Sequence, residues 1–228
     1  MPLPRSLARK DSPMTRTPDS TPSSETGLSS ETGRFIDYYF SPVSPFAYLG
    51  APRLAALAQA HGCTVRCRPV RMAEVFAATG GVPLPQRSEA RKAYRLMELT
   101  RISRRYAMPL TLHPAFFPCD DTLAAGVILA AEDAGADAMA VAFALGRGLW
   151  AEQRNIADPI TVTDILTALG LDGAALVAAA PQAEARRTET TAQAIAAGVF
   201  GAPTYVWKGE LFWGQDRLEY LDAAIKDS

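Results

Sequence analysis

The stretch "FIDYYFSPVSPFAYLG", residues 35–50, decides the fold. Its first part, Phe35–Phe40, is aromatic and β-branched, which predicts a buried strand. Its last part opens a helix, because Ser44 can cap it and Pro45 suits a first position where no N–H is needed. Phe46, Leu49, Gly50, Leu54 and Leu57 then mark one face at helical spacing. Pro52 removes one backbone hydrogen bond and is expected to kink this helix, which His61 and Gly62 end.

Downstream, "TVRCRPV" (64–70) reads as a second strand, so the chain begins with a βαβ unit and a right-handed crossover. At the far end, "APTYVW" (202–207), the turn pair Lys208-Gly209 and "ELFW" (210–213) predict a hairpin. A last helix, "QDRLEYLDAAIK" (215–226), follows with Leu218, Leu221 and Ile225 inward. Between these ends lie helical stretches: "SEARKAYRLMELTRISRRYA" (88–107), "DDTLAAGVILAAEDAG" (120–135) with capping acids, and "DAMAVAFALGRGLWAEQRN" (137–155). "DPITVTDILTALGL" (158–171) and "PQAEARRTETTAQAIAAG" (181–198), closing on Gly198, complete the block. The order βαβ, helical block, ββα is an α/β thioredoxin-like fold with a helical domain inserted between its halves. Residues 34–74 and 199–228 form the thioredoxin-like domain, and 75–198 the insertion.

Of 228 residues, 48% are hydrophobic, enough for a substantial core, and the net charge is −1. With no basic block, nucleic acid is a poor partner. No apolar run approaches the ~20 residues of a membrane helix, and the N-terminus lacks the apolar middle of a secretory signal, so a cytoplasmic chain is expected. Residues 1–33, dominated by Ser, Thr, Pro and charge, read as a disordered tail within which Met14 is an alternative start. Cys63, Cys67 and Cys119 form no Cys-x-x-Cys, and with His61 and His113 they give no cluster at metal spacing. No metal is expected, and the cysteines read as small apolar fillers.

Three features carry possible chemistry, each with a plain structural counterpart. Ser44 stands where a strand meets a helix, and there unpaired N–H groups and the helix dipole stabilise an anion such as a thiolate; it also serves as a simple cap. Ser41, a turn earlier and with no helix directly after it, has the weaker claim. Pro203 after Ala202 at a strand start is either a tolerated trans proline or a cis bond that turns the backbone of Ala202 outward toward a peptide-like ligand. Gln215 and Asp216 at the start of the last helix suit a ligand's carboxylate and ammonium, or Asp216 and Glu219 form a capping box.

Taken together, "SPFAYL", "GVFGAPT" and "FWGQDRL" resemble, in order and spacing, the 2-hydroxychromene-2-carboxylate isomerases of the DsbA-like and kappa-class glutathione transferase group. The resemblance runs from Phe35 to Ile225 and includes "RPVRMAEVFAATG", "ARKAYRLMEL" and "LWAEQRNIADP". It implies a glutathione site in which Ser44 takes the place of the first redox cysteine and Ala47 that of the second. Thiol–disulfide exchange is excluded, because two thiols are required and neither position has one. The implied cofactor is glutathione, its sulfur bonded by Ser44, its backbone paired with Ala202 before Pro203, and its γ-glutamyl end held by Gln215 and Asp216. Arg217 also matches the motif, its role less defined. Phe46, Tyr94, Phe116, Phe117 and Trp150 are candidates to line a pocket for a small aromatic substrate, with plain core packing as the alternative.

Departures from the family pattern fall at Arg91, where lysine is common, at Gly81, where asparagine is usual, and at Asp121, where asparagine is frequent. The resemblance implies a glutathione-dependent cis–trans isomerase of an aromatic hydroxy keto acid, and a homodimer. A kappa-like glutathione transferase and a non-catalytic glutathione-binding protein are the alternatives.

Overall fold

Strand β1 (Phe35–Phe40) lies inside a four-stranded sheet, with β2 (Thr64–Pro69) on one side and β3 (Thr204–Trp207) then β4 (Glu210–Trp213) on the other. A computed structural model describes residues 33–228, so the expected tail lies, apart from Gly33, outside the described residues. β1 runs parallel to β2 from Phe35↔Thr64 to Phe40↔Pro69, and antiparallel to β3 with Tyr39 opposite Thr204. The parallel pair needs a crossover helix, and the hairpin β3–β4 turns on Lys208 and Gly209, both at positive φ. This is the thioredoxin-like arrangement, its helical residues running between the two halves.

The strand's aromatic residues explain its burial. Tyr38 and Phe40 project to one face, two residues apart, and their rings stack at 4.3 Å. Tyr205, directly opposite Tyr38 on β3, stacks on it at 5.4 Å.

Helix α1 (Pro45–His61) is capped by Ser44, whose side chain accepts from the Ala47 N–H, and it stops where Gly62 takes a left-handed conformation at φ 61°. It buries more than the single face expected, including Ala47, Tyr48, Ala51 and Ala58, because both the sheet and the helical block cover it. The helix continues through Pro52, which lies on its exposed side while Leu49, Ala51 and Leu54 are buried.

The remaining helices are α2 (Met72–Thr79), α3 (Glu89–Arg105), α4 (Thr122–Asp133), α5 (Ala138–Trp150), α6 (Pro159–Ala168), α7 (Gly173–Glu184), α8 (Arg186–Ala196) and α9 (Leu218–Lys226). Two departures from the sequence reading stand out. Helix α2 has no counterpart in it, and the single helix expected over 181–198 is two, broken at Ala185, with α7 starting already at Gly173. Asp172 caps α7, and Gly173 sits so close to the Thr163 carbonyl that a Cβ would stand 2.5 Å from it. The run "GAALVAAA" that makes α7 is small and nearly uniform, so it carries little periodic signal. Asp121 occupies the cap position of α4 but makes no cap bond; Asp120 accepts from the Thr122 N–H at 2.9 Å instead.

One continuous core runs from Ile36 and Tyr38 in the sheet through Leu49 and Leu54 of α1 to Ile128, Leu145 and Trp150 in the helical block. No helix among the described residues is long and apolar enough to cross a membrane.

Candidate active site

The end of β1 and the start of α1 are held by a polar network. The Ser41 hydroxyl donates to Asp121 Oδ2 at 2.9 Å, and its carbonyl accepts from the Ser44 N–H at 2.9 Å. Asp121 Oδ1 in turn accepts from Arg187 at 2.8 Å. Arg187, only 2% exposed, also donates to the Val70 carbonyl at 2.9 Å, at the end of β2. Ser41 is thus buried and committed to structure. Asp121, flagged for replacing asparagine, is bound into this network.

Ser44 is half-buried, and its Oγ accepts from the Ala47 N–H at 3.3 Å. With that acceptor site used, the hydroxyl proton remains to be donated. Pro45 has no N–H, Tyr48 N–H bonds the Ser44 carbonyl, and among the described residues the Phe46 N–H has no acceptor at the helix start. No acidic residue stands in the first turn of α1, so nothing there opposes a bound anion.

The Ala202–Pro203 bond is cis, and the Pro203 carbonyl accepts from the Gly214 N–H at 2.8 Å. The β1–β3 pairing ends at Tyr39↔Thr204, so Ala202 lies just before the paired part of β3. Among the described residues neither the N–H nor the C=O of Ala202 has a hydrogen-bond partner. Such an edge is ready to pair with an extended peptide.

Beside these elements opens a cavity of about 640 Å³. Phe46, two residues past Ser44, and Ala202 form part of its wall, and Arg91 and Tyr94 of α3 form another. Four of the expected residues therefore meet there. Ser44 and Pro203 adjoin this wall in sequence without lining it.

Other expectations need correction. Trp150 is 0% exposed and belongs to the core, Phe117 packs on it with ring centroids 4.8 Å apart, and Phe116 lies on the surface, so none of the three lines the cavity. The cause is α5, whose apolar face turns Trp150 toward the core. Gln215 is buried, with its side-chain oxygen taken by Arg53, whose guanidinium also lies 3.9 Å from the Tyr106 ring centre. Asp216 is exposed, bends toward Gly214, pairs with Arg217 at 3.4 Å and makes no cap bond, so the capping box with Glu219 does not form.

Residues that the sequence reading did not single out complete the cavity. Arg87 and Arg95 line it with Arg91, while Phe76, Phe200 and Trp213 supply apolar wall. Trp213 packs edge-on against Phe200 at 4.7 Å, over Gly201, where a Cβ would fall 2.3 Å from the indole nitrogen. A signal for Arg95 was present: Arg91, Tyr94, Arg95 and Glu98 are spaced as neighbours on one helix face.

The chain's own thiols are poorly suited to act here. Burial raises the Cys67 thiol far above its ordinary value, and burial, with Asp121 and Asp120 nearby, pushes Cys119 up to about 11. Cys63 precedes β2 at the end of the sheet opposite Ser44.

Residues 35–226 match the family model described as DSBA-like thioredoxin domain. The chain is 34% identical over 197 residues to 2-hydroxychromene-2-carboxylate isomerase of Sphingobium xenophagum, covering 84% of this chain and 98% of that protein. A solved structure of 2-hydroxychromene-2-carboxylate isomerase is similar with a TM-score of 0.73 and 29% identity, over 85% of this chain and 95% of the other. The cytosolic disulfide reductase DsbM of Pseudomonas aeruginosa, solved with GSH, shares the fold at a TM-score of 0.61 and 20% identity, over 84% and 99% of the two chains. The chain belongs to the DsbA-like thioredoxin family and, within it, to the 2-hydroxychromene-2-carboxylate isomerases.

Proposed function

We propose that the protein is a glutathione-dependent cis–trans isomerase of an aromatic hydroxy keto acid, of the type that turns 2-hydroxychromene-2-carboxylate into trans-o-hydroxybenzylidenepyruvate. The observation that carries this reading is the start of α1, where the Ser44 hydroxyl proton and, among the described residues, the unpaired Phe46 N–H stand at the positive end of a 17-residue helix. A thiolate is stabilised there, and the polypeptide supplies none of its own.

Glutathione fits the residues present. Its extended backbone finds the unpaired N–H and C=O of Ala202, one carboxylate finds Arg91, and its ammonium finds Asp216. Gln215 contributes its backbone at the turn before α9 and steadies Arg53 with its side chain. When bound, the tripeptide would supply a thiolate that adds reversibly to the carbon β to the keto group, making the double bond single and free to rotate, and leaves again as the trans double bond re-forms. The protein's own part is to orient, to hold an anion at Ser44 and to enclose the aromatic ring beside Phe46 and Tyr94. DsbM, solved with GSH, holds the tripeptide on the same fold.

Ser44→Ala tests the assignment. Turnover is expected to fall by about two or more orders of magnitude, while calorimetry still detects glutathione binding and the ultraviolet difference absorbance of bound thiolate weakens. Near wild-type turnover in this variant defeats the role given to Ser44. Product of unchanged mass formed with catalytic glutathione supports the isomerase, whereas a stoichiometric thioether identifies a transferase, and binding without turnover a non-catalytic protein.

A further inference from the structure

The cavity wall is unevenly charged. Arg87, Arg91 and Arg95 all line it, and the one carboxylate in the wall, Glu98, is bonded to Arg101. Among the described residues, none of the three arginines forms an ion pair: Arg87 donates to the Val82 carbonyl at 2.9 Å, and Arg95 has no hydrogen-bond partner.

Arg95 is the most enclosed of them. Its guanidinium lies 5.7 Å from the centre of the Phe117 ring and 5.8 Å from that of Trp150, so the two aromatic residues that do not reach the cavity hold the cation that does. A planar guanidinium on ring faces is fixed in direction and weakly hydrated, which leaves its N–H groups for a planar anion. Burial, and next the charge of Arg87, lower the pKa of Arg95, as expected of a cation short of a counter-ion. The same cavity is also lined by Phe46, Phe76, Phe200 and Trp213. A ligand that uses both the cations and the aromatic side chains has a flat aromatic part and a carboxylate at one end. Glutathione has carboxylates and no ring, so it leaves the aromatic wall unused.

Resting on the proposed isomerase reading, we infer that Arg95, backed by Arg87, binds the carboxylate of the aromatic keto acid and determines the specificity for an acid over a neutral analogue. Arg91, one helical turn nearer the start of α3, serves the tripeptide.

The test compares trans-o-hydroxybenzylidenepyruvate with its methyl ester, titrated calorimetrically into the glutathione-loaded protein. The acid is expected to bind the wild type more tightly than the ester. Arg95→Gln should weaken the acid about 10- to 100-fold and leave both the ester and glutathione within about threefold. Arg95→Lys should recover part of the loss, and KM for the acid should rise more than kcat falls. Arg87→Gln, which loses only one bond to a loop carbonyl, provides a second variant, with a smaller loss for the acid. Unchanged acid affinity in both variants overturns the inference. So does weakening of glutathione instead of the acid, which would place the tripeptide's carboxylate at Arg95 while leaving the isomerase reading intact. Failure of the wild type to bind glutathione at all sinks that reading itself.

Discussion

At the scale of single residues, the site is built by giving neighbouring serines different partners. Ser41 and Ser44 both precede a proline, yet Ser41 is tied to Asp121 while Ser44 keeps a proton to donate. The tie depends on Arg187, which is buried at the meeting of β2, α4 and α8 and neutralises Asp121. Arg187→Met is expected to destabilise the protein by about 3–5 kcal/mol, because it strands a partly buried carboxylate and the Val70 carbonyl. Urea denaturation measures this, and the double variant with Asp121→Asn should recover part of the loss. Equal stability of single and double variants would show that the charge pair is not what holds this corner.

At the scale of elements, small residues let helices approach where the pattern of apolar residues alone says little. Gly126 in α4 faces α7 so closely that a Cβ would stand 2.5 Å from the Ala180 carbonyl oxygen. Backbone, unlike a long side chain, cannot swing aside. Alanine is favoured over glycine in a helix by about 1 kcal/mol, yet Gly126→Ala should lower stability by about 1–3 kcal/mol, read from the midpoint of chemical unfolding. A gain in stability would mean that the gap between α4 and α7 is free to widen. The same closeness made α7 hard to see in the sequence: its alanines and glycine are chosen for size, and size leaves no helical period. Helix α3 was legible by contrast, because its basic outer face alternates with Leu99 and Ile102.

At the scale of the whole molecule, the C-terminal helix locks onto the first one. His61 at the end of α1 meets Asp222 of α9 at 2.7 Å, and Lys226 bonds the same carboxylate. The Lys226 ammonium, and then His61, hold the Asp222 carboxyl below the usual carboxylate range. A carboxyl so lowered contributes stability above its unfolded value and loses it as pH falls through the folded one. Asp222→Asn should therefore flatten the acid limb of the stability–pH curve, followed by thermal unfolding from neutral pH into the carboxylate range, and an unchanged limb would remove Asp222 from that account. By itself, the sequence determined the strand–helix junction at Ser44, the order of the two thioredoxin halves and the hairpin turn at Lys208-Gly209, because caps, prolines, β-branched runs and hairpin turns act through neighbours along the chain. The cavity's true wall was decided only by tertiary structure. Whether Trp150 or Arg95 reaches the cavity depends on which helix covers which, and burial of a ring or a charge is settled between segments more than fifty residues apart.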